Sequence, residues 1–281
     1  MTNPTQTGLA IVAGQGALPG RIAERCAQLG RKYQIVRMRG QAPGGDEEPS
    51  PIIAEFERLG ALFAAIRAAG CGEVVFAGAM TRPDLDPARF DAETARLAPR
   101  LIPDIGSGDD RTLRAIASIF EVAGFGVVAA HALLPELLAT AGTMGQLAPT
   151  AADLADTERA AVIVAALGAA DIGQGAVVAQ GLCLGAETLQ GTDAMLAFVG
   201  TTPRTLWPDP TGARGVLFKA PKPGQDQRMD LPAIGPATIR NAFDAGLGGV
   251  AVQAGGVLML DRAATIDVAD RLGLFVFGLS A

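Results

Sequence analysis

GLAIVAGQGALPGRIAERCAQLG, residues 8–30, sets the architecture of the N-terminal half. Residues 8–13 are an apolar run too short for a core helix, so they read as a buried strand. Gly14 and Gly16 bracket a sharp turn, and residues 20–30 resume with apolar positions at helical spacing. The same alternation continues downstream. YQIVRM (33–38) reads as a strand, 41–51 as a Pro/Gly/acid loop, 55–70 as a helix, 73–78 as a strand, 107–124 as a helix and 125–130 as a strand. Strands alternating with helices imply a parallel sheet covered on both faces. The expectation is an α/β protein with a Rossmann-like parallel-sheet domain over residues 1–133, four of its strands visible. Residues 134–150 read as a connector. A C-terminal mixed α/β domain, 151–281, is expected to hold helices at 152–171, after Gly191, at 236–246 and at 262–272. Its strands are expected at 176–180, 182–187, 215–220, near 249–252 and 256–260, and at 273–278. The strand order of this second domain is not readable from sequence.

Bulk properties remove several function classes. The chain has 281 residues, 49% hydrophobic, with a net charge of −6. No apolar run reaches the roughly 20 residues needed to cross a bilayer, and MTNPTQTG lacks the features of a secretory signal. A cytoplasmic protein is expected. The acidic balance argues against nucleic acid as a partner. Cys26, Cys71 and Cys183 are scattered in apolar settings and read as buried thiols. His131 is the single histidine, at the end of an apolar run, which leaves no basis for a His/Cys zinc site. Any metal would rest on carboxylates and substrate phosphate, as a hard ion such as magnesium does.

Four segments could carry chemistry. Gly14 to Pro19 sits where a helix N-terminus would offer N–H groups to an anion. It departs from a dinucleotide fingerprint because Pro19 stands where a third glycine belongs, and Arg37 and Arg39 stand where an acidic ribose ligand would. This weakens an oxidoreductase reading. Ser107, Asp109 and Asp110 in a Gly-rich loop read either as a capping box or as ligands of a metal or sugar. Glu187, Thr192 and Asp193 surround a turn at Gly191, with Thr192 either a helix cap or one oxygen of a polar site. The densest segment is KAPKPGQDQRMDLPAIG, 219–235. Prolines 221, 223 and 232 forbid a continuous helix, so this is an ordered loop presenting Lys219, Lys222, Arg228, Asp226 and Asp230. Its cations could clamp a diphosphate, and a carboxylate among them could orient water or a metal.

That loop, K-x-P-K-P-G-Q-D-x-R-x-D-L-P-x-I-G followed by Thr238, resembles the LpxI-type UDP-2,3-diacylglucosamine pyrophosphatases. Further segments resemble the same family in order: G-x-G-x-L-P at 14–19, G-D-D at 108–110, F-E-x-x-G at 120–124, D-I-G-Q at 171–174, E-x-x-x-G-T-D-A-M-L at 187–196 and G-L-x-G-V-x-x-x-A-G-G at 246–256. The resemblance implies two α/β domains with the lipid product held between them. It implies hydrolysis of UDP-2,3-diacylglucosamine to UMP and 2,3-diacylglucosamine 1-phosphate (lipid X) in lipid A synthesis, with magnesium or another divalent ion such as manganese. The family's essential aspartate matches Asp226. Lys219, Lys222 and Arg228 are then expected to neutralise the diphosphate, and Asp226, with Asp230, to bind the metal. Gly14, Gly16, Leu18, Asp109, Asp110, Glu187, Thr192, Asp193 and Gln225 are expected around the substrate. A lipid substrate implies transient contact with the inner membrane face, and the resemblance favours a homodimer. The competing reading is a non-catalytic binder of nucleotide sugars or acyl lipids.

Overall fold

The computed structural model describes residues 7–40, 50–81, 85–104 and 109–280, with only the backbone described for Leu101 and Asp109. The chain forms two compact units. The first is Met1–Pro135 together with Arg228–Asp230; the second is Glu136–Gln227 together with Leu231–Ala281. No helix among the described residues is long and apolar enough to cross a membrane.

The first unit is built on β1 (Gly8–Ala13), β2 (Tyr33–Met38), β3 (Ile52–Ala54), β4 (Cys71–Ala77) and β5 (Gly126–Val127), an all-parallel sheet in the order β3-β2-β1-β4-β5. β1 is central, with Ile11 opposite Ile35 on one side and Val75 on the other. Alternate residues of a strand face opposite ways, and here both faces are covered. Ala10, Val12, Val36 and Val74 pack with Leu62, Phe63 and Ile66 of α2 (Leu59–Ala68) and Ile119 and Phe120 of α4 (Asp109–Val122). Leu9, Ile11, Ile35 and Val75 are equally buried on the other face, where α1 (Leu18–Gln28) contacts β1 and α5 (Ala130–Leu133) contacts β4. Each such side chain contributes about 1.5–3 kcal/mol by burial, which is why β1 reads as an unbroken apolar run.

Four local features differ from the sequence expectation. Ile52–Ala54 adds a fifth strand, and the helix expected at 55–70 splits into a 3-10 turn, Phe56–Arg58, and α2. α3 (Ala92–Leu101) was not anticipated, because Pro99 inside it reads as a breaker. Its start is fixed by Asp91, which accepts from the Thr94 N–H at 2.8 Å. The strand expected over 125–130 is reduced to Gly126–Val127, since residues from Ala130 coil into α5.

The second unit holds a six-stranded mixed sheet in the order β6-β13-β11-β9-β7-β8. Its strands are β6 (Gly142–Thr143), β7 (Gly175–Ala179), β8 (Leu182–Ala186), β9 (Val216–Lys219), β11 (Gly249–Gln253) and β13 (Phe275–Leu279). β9, β11 and β13 run parallel, while β7 is antiparallel to both β8 and β9. β10 (Ala233–Ile234) and β12 (Leu258–Met259) pair separately, so the strand expected near 256–260 lies outside the main sheet. α6 (Ala151–Ala169) covers one face through Ala160 and Val164, packed with Val216 and Phe218. α7 (Gly191–Gly200), α8 (Pro236–Asp244) and α9 (Arg262–Leu272) cover the other, where Leu217 meets Leu196, Ile239 and Val268. α6 begins with a capping box, Thr150 and Asp153 exchanging side-chain and backbone bonds. Cys183 is exposed on β8, correcting its expected burial. β8 is an edge strand whose residues are mostly open to solvent, so an apolar sequence context did not make a buried site.

Candidate active site

Lys219 ends β9 on the face it shares with Leu217, pointing toward α7 rather than α6. It is only 5% exposed. A buried ammonium needs hydrogen-bond acceptors and a counter-charge. Its Nζ donates to Thr192 Oγ1 at 2.7 Å and to the Ala233 carbonyl at 3.5 Å, and Glu187 Oε2 lies 3.7 Å away. Glu187 is brought there because its N–H donates to the Gly175 carbonyl at 2.9 Å, just beyond β8. Glycine is required on both sides of it. A Cβ on Gly175 would lie 2.3 Å from Glu187 Oε2, and one on Gly173 would lie 2.0 Å from its carbonyl oxygen. Glu187 Oε2 is buried without a hydrogen-bond partner, as is Gln174 Oε1. Thr192 does not cap its helix: the position before α7 is Gln190, and the Thr192 hydroxyl serves Lys219 instead. Asp193, exposed on the same helix, accepts from Asn241 Nδ2 of α8 at 2.8 Å.

The segment after β9 is held rigidly. Lys222-Pro223-Gly224-Gln225 forms a turn in which the Gln225 N–H donates to the Lys222 carbonyl at 3.1 Å, with Gly224 at φ +75°. Proline at the second place and a left-handed glycine at the third mark a type II turn. The Gln225 side chain reinforces it, Oε1 accepting from the Lys222 N–H at 2.9 Å. The prolines are wedged against small residues: a Cβ on Gly168 of α6 would lie 2.7 Å from Pro223, and one on Gly256 would lie 3.0 Å from Pro221. Lys222 Nζ pairs with Asp171 at 2.5 Å. Asp171 itself sits at φ +54°, a left-handed conformation that aspartate tolerates better than most residues. Asp226 follows this turn directly and is half-buried.

Arg228, Met229 and Asp230 cluster with the first unit. Arg228 Nη1 bonds Glu121 Oε1 of α4 at 2.7 Å, both side chains being about two-fifths exposed. Met229 is buried, and Asp230 is exposed. Elsewhere in that unit, the Gly14 turn is locked to the end of β4. Gln15 and Ala79 exchange backbone bonds at 2.8 and 3.2 Å, and a Cβ on Gly14 would lie 2.4 Å from the Ala79 carbonyl. Gly14 is therefore required for strand packing. Gly16, at φ +91°, is exposed with nothing near its missing side chain. Leu18 opens α1, whose N-terminus has no side-chain cap and no acid in its first turn. Gly106 to Gly108 lie outside the described residues; Asp110 is buried and pairs with Arg114 one turn along α4 at 2.7 Å.

Two carboxylates missed in the sequence reading, Glu121 and Asp171, pair with two of the loop's three cations, Arg228 and Lys222. The available signal was their place in the F-E-x-x-G and D-I-G-Q segments. His131 is half-buried on α5, and burial pushes its pKa down.

A two-unit α/β protein that encloses a lysine with a carboxylate and a threonine, and follows them with a proline-stiffened acid-bearing turn, has the anatomy of an enzyme acting on an anionic substrate. Family models agree across the chain: the LpxI N-terminal domain matches residues 8–137 and the LpxI C-terminal domain residues 140–277. The chain is similar to the UDP-2,3-diacylglucosamine pyrophosphatase LpxI of Caulobacter vibrioides, 42% identical over 272 residues, 96% of this chain and 97% of the relative. The chain belongs to the LpxI family.

Proposed function

We propose that the chain is a UDP-2,3-diacylglucosamine pyrophosphatase, releasing UMP and 2,3-diacylglucosamine 1-phosphate. Membership of the family and the activity for which the Caulobacter relative is named support this reading. The observation that carries it is the buried Lys219 with Thr192 and the unsatisfied Glu187 oxygen, at the root of the turn that leads into Asp226. Attack of water on a diphosphate is slow partly because like charges repel. Lys219, Lys222 and Arg228 supply positive charge against it, each donor in such a site contributing about 3 kcal/mol to the transition state. Asp226 orients the attacking water, and its fixed placement matters more than its basicity.

A divalent ion fits this donor set in one form. No three histidine, cysteine or acidic side chains gather among the described residues, so a complete cage is not found among them. Magnesium usually retains waters and takes one or two carboxylates together with substrate phosphate oxygens. Asp226 and Asp230 are the residues proposed to hold it, and when bound it neutralises the diphosphate. A diacylated substrate further implies transient docking at a membrane surface.

Phosphorus NMR of purified protein with substrate and magnesium tests the proposal. UMP and the sugar phosphate should appear, should cease with chelator, and should fall at least a thousandfold in Asp226→Ala while substrate still binds. Binding without UMP release in the unaltered protein would make the chain a nucleotide-sugar or acyl-lipid binder instead.

A further inference from the structure

The end of α6 carries a residue that helix chemistry alone does not explain. The Ile172 N–H donates to the Leu167 carbonyl at 2.9 Å, and the Asp171 N–H donates to the Gly168 carbonyl at 3.0 Å. This is the bond pattern of a Schellman cap, whose left-handed residue is usually glycine. Here that residue is Asp171, at φ +54°, although glycine would meet no steric penalty there. A side chain kept in a disfavoured backbone conformation points to a task of its own. The Asp171 carboxylate directs its charge away from the helix, onto Lys222 Nζ at 2.5 Å, with the two side chains 30% and 12% exposed.

Lys222 opens the turn that leads into Asp226, and it is held at both ends. Its N–H and its carbonyl both bond Gln225, and its ammonium bonds Asp171. The backbone of α6 closes on the same residue: a Cβ on Gly168 would lie 3.1 Å from Lys222 Cα. Unpaired carbonyls at a helix C-terminus favour a cation beside them. Just past the cap, the Gln174 carbonyl accepts from the Ala220 N–H at 3.1 Å, where β9 has ended. The segment 171–174 therefore grips the chain both before the turn and at its first residue.

We infer that Asp171 is a positioning residue: it fixes Lys222, and through Lys222 the turn that presents Asp226. The consequence for turnover rests on the proposed pyrophosphatase activity; the bracing of the turn does not.

Amide hydrogen exchange of the full chain, followed by NMR, tests the bracing without substrate. Two variants are compared. Asp171→Gly keeps the helix cap unstrained, and Asp171→Asn keeps the shape of the side chain, so a loss common to both follows the charge. In each, the Lys222 and Gln225 amides should exchange about tenfold faster, while the Ile172 amide inside the cap keeps its protection. Thermal unfolding checks that each variant folds. UMP release supplies the second reading. Both variants should lower kcat about tenfold with KM held within about twofold. Lys222→Met should cost about a hundredfold, and adding Asp171→Asn to it should cost nothing further, because a residue that acts through Lys222 is silent once Lys222 is gone. Unchanged exchange at Lys222 and Gln225, an unchanged kcat in variants of an active parent, or losses that multiply in the double variant would overturn the inference. Absence of UMP release from the unaltered protein refutes the pyrophosphatase reading alone, and exchange then decides the bracing by itself.

Discussion

Glu187 and Lys219 answer to each other more than to solvent. Their side chains are 9% and 6% exposed, and the carboxylate oxygen nearest the ammonium has no hydrogen bond of its own. Removing one partner of a buried pair costs about 3 kcal/mol, because the other charge is left in low dielectric, whereas removing both is far milder. Glu187→Ala should thus destabilise the protein by about 3 kcal/mol, and adding Lys219→Met should recover roughly half of that. Urea unfolding of the two single variants and the double variant measures the coupling. Strictly additive losses would show that the pair is not energetically linked. Lys219 was legible in the sequence as a cation in a proline-rich loop, and Glu187 and Thr192 as oxygens of a polar turn, but their pairing with Lys219 was not. Thr192 stands 27 residues before it, and only the juxtaposition of α7 and β9 makes its hydroxyl an acceptor instead of a cap. Glu121 and Asp171 hid for the same reason, lying 107 and 51 residues from the cations they pair with.

Two glycines show how differently one turn and one strand end constrain the chain. Gly224 has φ +75° and open space where a side chain would stand; Gly78 has φ +90° and would place a Cβ 2.3 Å from the Gln15 carbonyl. Gly224→Ala meets only the left-handed penalty of about 1 kcal/mol. It should leave the urea midpoint nearly unchanged but shift Asp226 and lower kcat about tenfold. Gly78→Ala adds a backbone collision and should destabilise by about 3 kcal/mol, forcing the ends of β1 and β4 apart. Equal stability losses in the two variants would refute the distinction. The strands themselves were readable because burial on both faces leaves a continuous apolar signature, as in Gly8–Ala13. The two-residue strands Gly142–Thr143 and Ala233–Ile234 were not, since pairing that short leaves no period to detect. α3 was obscured by Pro99, although Asp91 and Thr94 carry a start signal that could have found it.

For the molecule as a whole, one residue should govern how stability responds to pH near neutrality. His131 is the chain's single histidine, and burial lowers its pKa in the folded state below the ordinary value of 6.5. Unfolded chains therefore bind a proton that the folded protein refuses, so the unfolded state gains as pH drops. The stabilisation is complete above about pH 6.5 and is lost progressively as pH falls from there through the depressed folded value. The other shifts lie outside this window: at Asp91 burial is outweighed by hydrogen bonds from Thr94, Ala61 and Gly60, at Glu93 and Asp209 hydrogen bonds from Arg96 and Thr211 lead, and all three carboxyls are held below the usual range; Glu93 raises the Arg96 guanidinium, and burial raises the thiols of Cys26 and Cys71. Thermal unfolding followed between pH 5.5 and 7.5 should show a declining midpoint on the acid side. His131→Gln, which keeps a polar planar group but cannot take the proton, should flatten that decline while leaving the midpoint at pH 7.5 within a few degrees. A slope of the same size in the variant would mean that His131 is solvated in the folded state, and that α5 does not shield it as its burial indicates.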